Sequence, residues 1–341
     1  MSKIIVITGQ TATGKTSLAL DYAKKYNAEL INCDSRQIYK HLDIITGKDL
    51  TDKKIHRVSR LGNFDIGYYQ ISDRTPEIEE ADVTSAGKTS GVKAKIWLYD
   101  IINPDQYFSS FDYQQCALWV IKKILREGKT PIIVGGTAFY LKHLLYGVDT
   151  ENIPPNWLLR KKLQNKSVEE LQDILTMHST QLINQLSRSE LNNPQRLIRK
   201  IEIAIHRRDG INRVSTKNQQ FWVETGHAPS LPSRLHIQNL KVHFIGLKFK
   251  NKNKLRSAIK KRVEKRLKQG AIEEVKKLLI KGYEESDPGL KTIGYQQLIL
   301  HLKGVLDAGT AIQDWINKEV QYAKRQYTFM KKDKNIIWQD V

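Results

Sequence analysis

Ile4-Ile5-Val6-Ile7-Thr8-Gly9-Gln10-Thr11-Ala12-Thr13-Gly14-Lys15-Thr16-Ser17-Leu18 contains a G-x-x-x-x-G-K-T motif, Gly9 to Thr16, between an apolar run and a helical pattern. The glycines let successive backbone N–H groups curl around a phosphate. The following helix N-terminus adds partial positive charge. Lys15 supplies a compact cation, and the Thr16 hydroxyl is expected to ligate Mg²⁺. The loop residues Gly9, Gln10, Thr11, Ala12, Thr13, Gly14, Lys15 and Thr16 are therefore assigned to a phosphate compound, whose identity the motif leaves open. A second match, Ala86-Gly87-Lys88-Thr89, has Asp82 at the first glycine position and no strand before it. It reads as an exposed loop.

Working outward, residues 16–26 pattern as an amphipathic helix with Leu18, Ala19, Tyr22, Ala23 and Tyr26 inward. Residues 28–33 read as a strand ending at Asp34, 96–102 as a third strand and 111–127 as a long helix. Residues 131–134 form a fourth strand that runs into Gly135-Gly136-Thr137. Short apolar strands separated by helices predict an α/β fold, a P-loop NTPase-like parallel sheet with helices on both faces. Ligands in such sheets collect at strand carboxyl ends. Thr8, Gly9, Asp34 and Gly135 to Thr137 are thus expected to line one crevice. Residues 48–95, polar and broken by glycines, read as an irregular insertion. Pro154-Pro155 marks a boundary, 157–206 is helix-rich, and Asn193-Pro194 starts a helix. Residues 244–249 look like a returning strand, 254–282 like one amphipathic helix built on Leu255, Ile259, Val263 and Leu267. A last helix is expected at 307–331 and a strand at 335–338. The expected division is a catalytic core of 1–150 and 236–341 with a mostly helical insertion domain at 151–235.

With 341 residues the chain can bury a full core. No apolar run approaches a membrane span, and the start reads as a strand rather than a signal peptide. Cys33 and Cys116 have no C-x-x-C partner, which excludes a disulfide scaffold or Cys-based zinc site and fits a reducing cytoplasm. The nine histidines show no metal-binding spacing. The net charge of +20 is uneven: residues 194–277 hold 22 Lys and Arg against 6 Asp and Glu. Such a surplus is the footprint of a polyanion partner, the plainer reading being a soluble cationic face.

Asp34, at a strand end opposite the loop, is open to three roles: Mg²⁺ ligand through water, helix cap, or general base. Ser35, Arg36 and Gln37 beyond it are a dense hydrogen-bonding set suited to base edges. After Ile132 to Val134, glycines stand where an ATPase carries its magnesium-holding acid, which argues against an ATP hydrolysis cycle. Thr137 is either a helix N-cap or a donor facing the crevice. Arg196, Arg199 and Lys200 share a helical face, either solvated or a phosphate-contact stripe, with Leu197, Ile201, Ala204 and Ile205 buried opposite. Lys324 and Arg325 lie on a helix near Trp315 and Tyr322.

Further blocks follow in order: Cys33-Asp-Ser-Arg-Gln-Ile-Tyr39, Asp100-Ile-Ile-Asn-Pro-Asp105, Val134-Gly-Gly-Thr-Ala-Phe-Tyr140, Asn193-Pro-Gln-Arg-Leu-Ile-Arg199, Lys291-Thr-Ile-Gly-Tyr295 and Tyr322-Ala-Lys-Arg-Gln326. With these the chain resembles the bacterial tRNA dimethylallyltransferases, or isopentenyl-tRNA transferases. The resemblance implies that the P-loop holds the diphosphate of dimethylallyl diphosphate. The exocyclic amine of the adenosine 3′ of the anticodon then attacks the allylic carbon and diphosphate leaves. It implies Asp34 as general base. It also implies that Thr16 with its Mg²⁺, Lys15 and Arg325 stabilise the leaving group, and that Thr137 lies in the reaction channel. Asp34, Ser35, Arg36, Gln37, Thr137, Arg160, Gln195, Arg196, Leu197, Ile198 and Arg199 match tRNA-contacting positions. The adenosine must leave its stack to react. The implied partners are the tRNA anticodon stem-loop and dimethylallyl diphosphate, with a cytoplasmic monomer expected. Two departures stand out. Residues 48–95 and Lys95-Ile-Trp-Leu-Tyr99 replace a direct run to a His-His-Leu strand. Gln10 replaces a common proline, which backbone donors should tolerate. No C-terminal Cys/His zinc finger is found, so the bacterial rather than the eukaryotic version is expected. Readings from other classes are a P-loop phosphotransferase acting on nucleotides or RNA, and an RNA-binding protein with a relic P-loop.

Overall fold

Side chains of β1 (Lys3–Gly9) alternate between two buried layers, Ile4 and Val6 in one, Ile5 and Ile7 in the other. A strand apolar on both faces belongs inside a covered sheet. In the computed structural model, which describes residues 3–48, 50, 52, 54–72, 93–147, 153–213 and 240–341, β1 is such an interior strand. The others are β2 (Ala28–Asn32), β3 (His56–Leu61), β4 (Phe64–Ser72), β5 (Lys93–Trp97), β6 (Thr130–Val134), β7 (Lys241–Lys248) and β8 (Ile337–Asp340), in the order β3-β4-β5-β2-β6-β1-β7-β8. From β5 to β8 every pairing is parallel; β4 runs antiparallel to β5 and to β3.

The helices are α1 (Lys15–Tyr26), α2 (Ser110–Arg126), α3 (Ala138–Tyr146), α4 (Trp157–Leu163), α5 (Val168–His178), α6 (Thr180–Asn184), α7 (Arg188–Leu191), α8 (Pro194–Arg213), α9 (Lys252–Lys268), α10 (Ala271–Ile280), α11 (Tyr295–Leu302) and α12 (Ala308–Met330). Ala19, Leu20 and Ala23 of α1 close one layer against Ile5, Ile7, Leu30 and Ile132. Residues of α2, α3 and α9 to α12, among them Tyr113, Tyr140, Ile259 and Trp315, close the other. The chain divides into two compact units, Met1–Tyr146 with Ala228–Val341, and Gly147–His227. In the second, α8 lays Leu197, Ile201 and Ala204 against Leu171 and Leu175 of α5. No described helix is long and apolar enough to cross a membrane.

Three sequence expectations are corrected. The stretch 48–95 is not irregular throughout: β3 and β4 form a hairpin that extends the sheet, and β5 begins at Lys93. The strand expected at 96–102 ends at Trp97, where Leu98 and Asp100 take positive φ and turn the chain. The single helix at 254–282 is two, α9 and α10, because Gly270 sits at φ 94°. Residues 73–92, including Ala86 to Thr89, and 214–239, which take in the end of the expected helical insertion, lie outside the described residues.

Candidate active site

The P-loop is locked in shape by its surroundings. Gly9 has φ 131°, and a Cβ there would lie 2.0 Å from the Leu247 carbonyl oxygen of β7, so only glycine fits. Gln10 is buried: its N–H donates to Leu247 O (3.0 Å), its amide to Ala323 O (3.3 Å), and it accepts from Phe249 N (2.8 Å). The glutamine therefore pins the loop to β7 and α12, a larger role than the tolerated replacement read from sequence. Lys15 Nζ and Thr13 Oγ1 both donate to Gln10 O, at 2.6 and 2.8 Å. α1 begins behind Gly14 at φ 77°, with no side-chain cap, and Thr16 is exposed in its first turn. That is the arrangement of an anion-binding helix start.

Two further segments, at the carboxyl ends of β2 and β6, close on this loop at the end of β1, as expected. Gly135 N donates to Ile7 O (3.1 Å), Cys33 N to Val134 O (2.8 Å) and Thr137 N to Cys33 O (3.1 Å). A Cβ on Gly135 would lie 2.2 Å from Cys33 O, and one on Gly136 would lie 2.1 Å from Gln326 Nε2. The glycines following β6 thus stand where a side chain would part the segments. Gln326 of α12 donates to Gly136 O (3.0 Å) and accepts from Thr11 N (2.9 Å), joining two loops through one amide.

Asp34 Oδ1 accepts from Arg36 N (2.9 Å), and Asn32 Oδ1 accepts from Asp34 N (3.0 Å), so the carboxylate caps its own turn at the mouth of the crevice. Ser35 N donates to Thr137 Oγ1 (2.9 Å), and Thr137 in turn donates to Ser35 Oγ (3.2 Å). The Thr137 hydroxyl therefore ties the turn after β6 to the Asp34 turn. Tyr322 shares a hydrogen bond with Thr137, and burial, with Asp34 beside it, pushes the phenol up to about 12. Arg36 pairs with Glu319 at 2.8 Å and lies 3.9 Å over the Tyr322 ring, while Gln37 donates to Thr46 O and Gly47 O. Burial opposes the Arg36 charge, but Glu319, Tyr322 and Asp34 outweigh it and raise its pKa. Arg325 is exposed on α12, one residue before Gln326.

Besides the part played by Gln326, one cation beside the P-loop escaped the sequence reading. Arg262 of α9 donates to Thr11 Oγ1 inside the P-loop. Burial and then the Arg262 charge lower the Lys15 pKa to about 8, against an opposing pull from Asp34. The signal was present only as one more cation in a basic helix. Its neighbour Glu319 is held ionised, below its ordinary pKa, because Arg36, Arg262 and Arg266 outweigh the cost of burial. The described residues contain no cluster of three or more His, Cys, Asp or Glu able to hold a metal. A cation here would depend on Thr16, phosphate oxygens and water, a set that suits Mg²⁺.

In the helical unit, Glu202 of α8 is buried and takes both Arg160 (2.6 and 2.7 Å) and Arg199 (2.9 Å); Arg199 also donates to Ile153 O (2.7 Å). Leu197 and Ile198, matched to tRNA-contacting positions, have their side chains in the core at 0% and 8% exposure. Leu197 is turned inward as its helical spacing predicts, and Ile198 joins it there. Gln195 and Arg196 are exposed on the same turn.

The protein-family model described as IPP transferase matches residues 79–333. A tRNA dimethylallyltransferase from Acetivibrio thermocellus is 30% identical over 339 residues, spanning 99% of this chain and 91% of the relative. The chain belongs to the IPP transferase family. A second relative, from Anoxybacillus flavithermus, is 31% identical over 341 residues, 99% of this chain and 90% of its own. The fold is that of solved IPP transferases. The tRNA isopentenylpyrophosphate transferase of Bacillus halodurans superposes with TM-score 0.59 at 25% identity, covering 100% of this chain and 90% of that one. The Staphylococcus epidermidis enzyme gives 0.58 at 28%, covering 100% and 93%. A eukaryotic dimethylallyltransferase acting on tRNA shares the fold, with TM-score 0.66 at 20% identity over 100% and 74%.

Proposed function

We infer that this chain is a tRNA dimethylallyltransferase, moving the dimethylallyl group from its diphosphate to the exocyclic amine of the adenosine 3′ of the anticodon. The observation that carries the reading is the closure of the P-loop, the Asp34 turn and Thr137 on one crevice, with glycines in place of a β6 acid. In this reading Lys15, Arg262 and the backbone N–H groups of the loop hold the donor diphosphate. Thr16 holds a Mg²⁺, which supplies charge to the departing oxygens when bound. Arg325, exposed beside the loop-binding Gln326, adds a further cation. Asp34 takes the amine proton as the new C–N bond forms and the C–O bond to diphosphate breaks. The Thr137 hydroxyl and Ser35 fix the wall along which the adenosine enters. Gln195, Arg196 and the exposed parts of Arg160 and Arg199 are assigned to tRNA, and a cytoplasmic monomer remains the expected setting.

Incubation with tRNA and labelled dimethylallyl diphosphate, in parallel with labelled ATP, tests this. Prenylated tRNA with Mg²⁺ and no phosphate transfer from ATP is the expected result. Phosphate transfer to RNA without prenylation would establish the phosphotransferase reading instead.

A further inference from the structure

The β3–β4 hairpin stands at the rim of the candidate site, and no role assigned above uses it. Its height follows from the sheet register. Tyr68 pairs with Trp97, Trp97 with Ile31, Ile31 with Ile133, and Ile133 with Val6, so these residues form one row across the sheet. From that row β1 runs three residues to Gly9 and the chain after β2 runs three to Asp34. The antiparallel β4 reaches four residues back, to Phe64 at the hairpin tip. At about 3.3 Å per residue the tip stands on the order of 13 Å beyond the end of β5, on the side where Asp34 and the P-loop lie.

The two faces of this ribbon differ. On one, His56 stacks on Tyr68 at 4.9 Å, Tyr68 packs on Trp97, and Phe64 meets Phe108 edge-on at 5.0 Å, which fixes the ribbon to the core. On the other, Asp65 receives Lys40 at 3.1 Å and Arg57 at 3.5 Å, and Arg60 lies opposite Asp65 in the register. Arg57 is 61% exposed at its side chain, and Arg60 is exposed too. Lys40 and Arg57 share that carboxylate, and Arg60 stands beside it across the ladder. Lys40 belongs to the segment that begins at Asp34, so the cluster joins the ribbon to the chain bearing the candidate base. Among the described residues β3 is the outermost strand, and its arginines follow one another along that strand. That spacing suits a line of phosphates better than a single small anion.

We propose that Lys40, Arg57 and Arg60 form a second contact surface for the phosphate backbone of the tRNA substrate, on the catalytic unit itself. The inference rests on the tRNA reading above. The test measures tRNA affinity across a salt series, together with prenylation, for the wild type, Arg57→Gln/Arg60→Gln and Asp65→Asn. The double variant should bind tRNA several-fold more weakly, lower the log–log salt slope by up to about two units, and keep kcat at saturating tRNA. Asp65→Asn should tighten binding, an effect that misfolding does not produce. Wild-type affinity and slope in the double variant, with the wild type active, would overturn the proposal, as would unchanged or weaker binding in Asp65→Asn. A wild type that binds tRNA but transfers no prenyl group would overturn the preceding function instead, and the affinities would still decide the ribbon's role.

Discussion

Lys15 is the side chain whose protonation state the structure tunes most directly toward its task. Burial and Arg262 bring its pKa from 10.5 to about 8, so the unliganded ammonium begins to lose its proton within the working range. Diphosphate binding needs the charged form. Donor affinity should therefore be flat below about pH 8 and fall as pH rises above it, up to about tenfold per unit. Donor dissociation constants measured from about pH 6.5 to 9.5 check this, and Lys15→Arg should move the break out of range. The sign for the free protein is opposite. Between pH 8 and 10.5 the unfolded chain holds the extra proton, so this group's contribution to stability rises with pH. Asp34 needs a finer substitution than alanine, because its carboxylate also caps the turn at Arg36 N. Asp34→Asn keeps that hydrogen bond and removes the base. Turnover should drop by roughly a hundred- to ten-thousandfold while tRNA binding survives. A variant that keeps turnover would assign the proton to another group.

At the scale of elements, the site is a junction of loops held by glycines and one amide. Gly136→Ala would drive a methyl into the Gln326 amide and displace it from Thr11 N. The expected result is a raised KM for dimethylallyl diphosphate with about 1–3 kcal/mol lost in stability, read from kinetics and thermal unfolding. β1, β2 and β6 were legible because each is a short apolar run ending on a strong signal: glycines after β1, Asp34 after β2, glycines after β6. The P-loop, Asp34 and Thr137 were legible for the same reason, as polar residues placed just past apolar runs. Arg262 and Gln326 were not, because a helix writes its inward polar residue in the same letters as its solvated ones. Gly270 hid within a continuing basic pattern, and only its left-handed backbone ends α9. The β3–β4 hairpin is half polar because one face at its tip is exposed, so it lacks the unbroken apolar run of the interior strands.

For the molecule as a whole, the basic surplus divides into charges with different work. Arg160 and Arg199 neutralise the buried Glu202, so removing either should cost the helical unit about 1–3 kcal/mol as well as any tRNA contact. Arg196, exposed and with Glu190 4.0 Å away, should cost tRNA affinity and little stability. Thermal unfolding beside a salt series of tRNA binding on Arg196→Ala and Arg199→Ala separates the two; equal stability losses would refute the division. The lock on Gly9 also bears on synthesis. The P-loop lies in the first sixteen residues, but the carbonyl that fixes it is Leu247 O, and Thr11 waits for Arg262 and Gln326. A ribosome must make most of the chain before its opening motif can take shape. Until then β1 is a border strand with one side unpaired, and a nascent chain stalled near residue 146 should capture no donor.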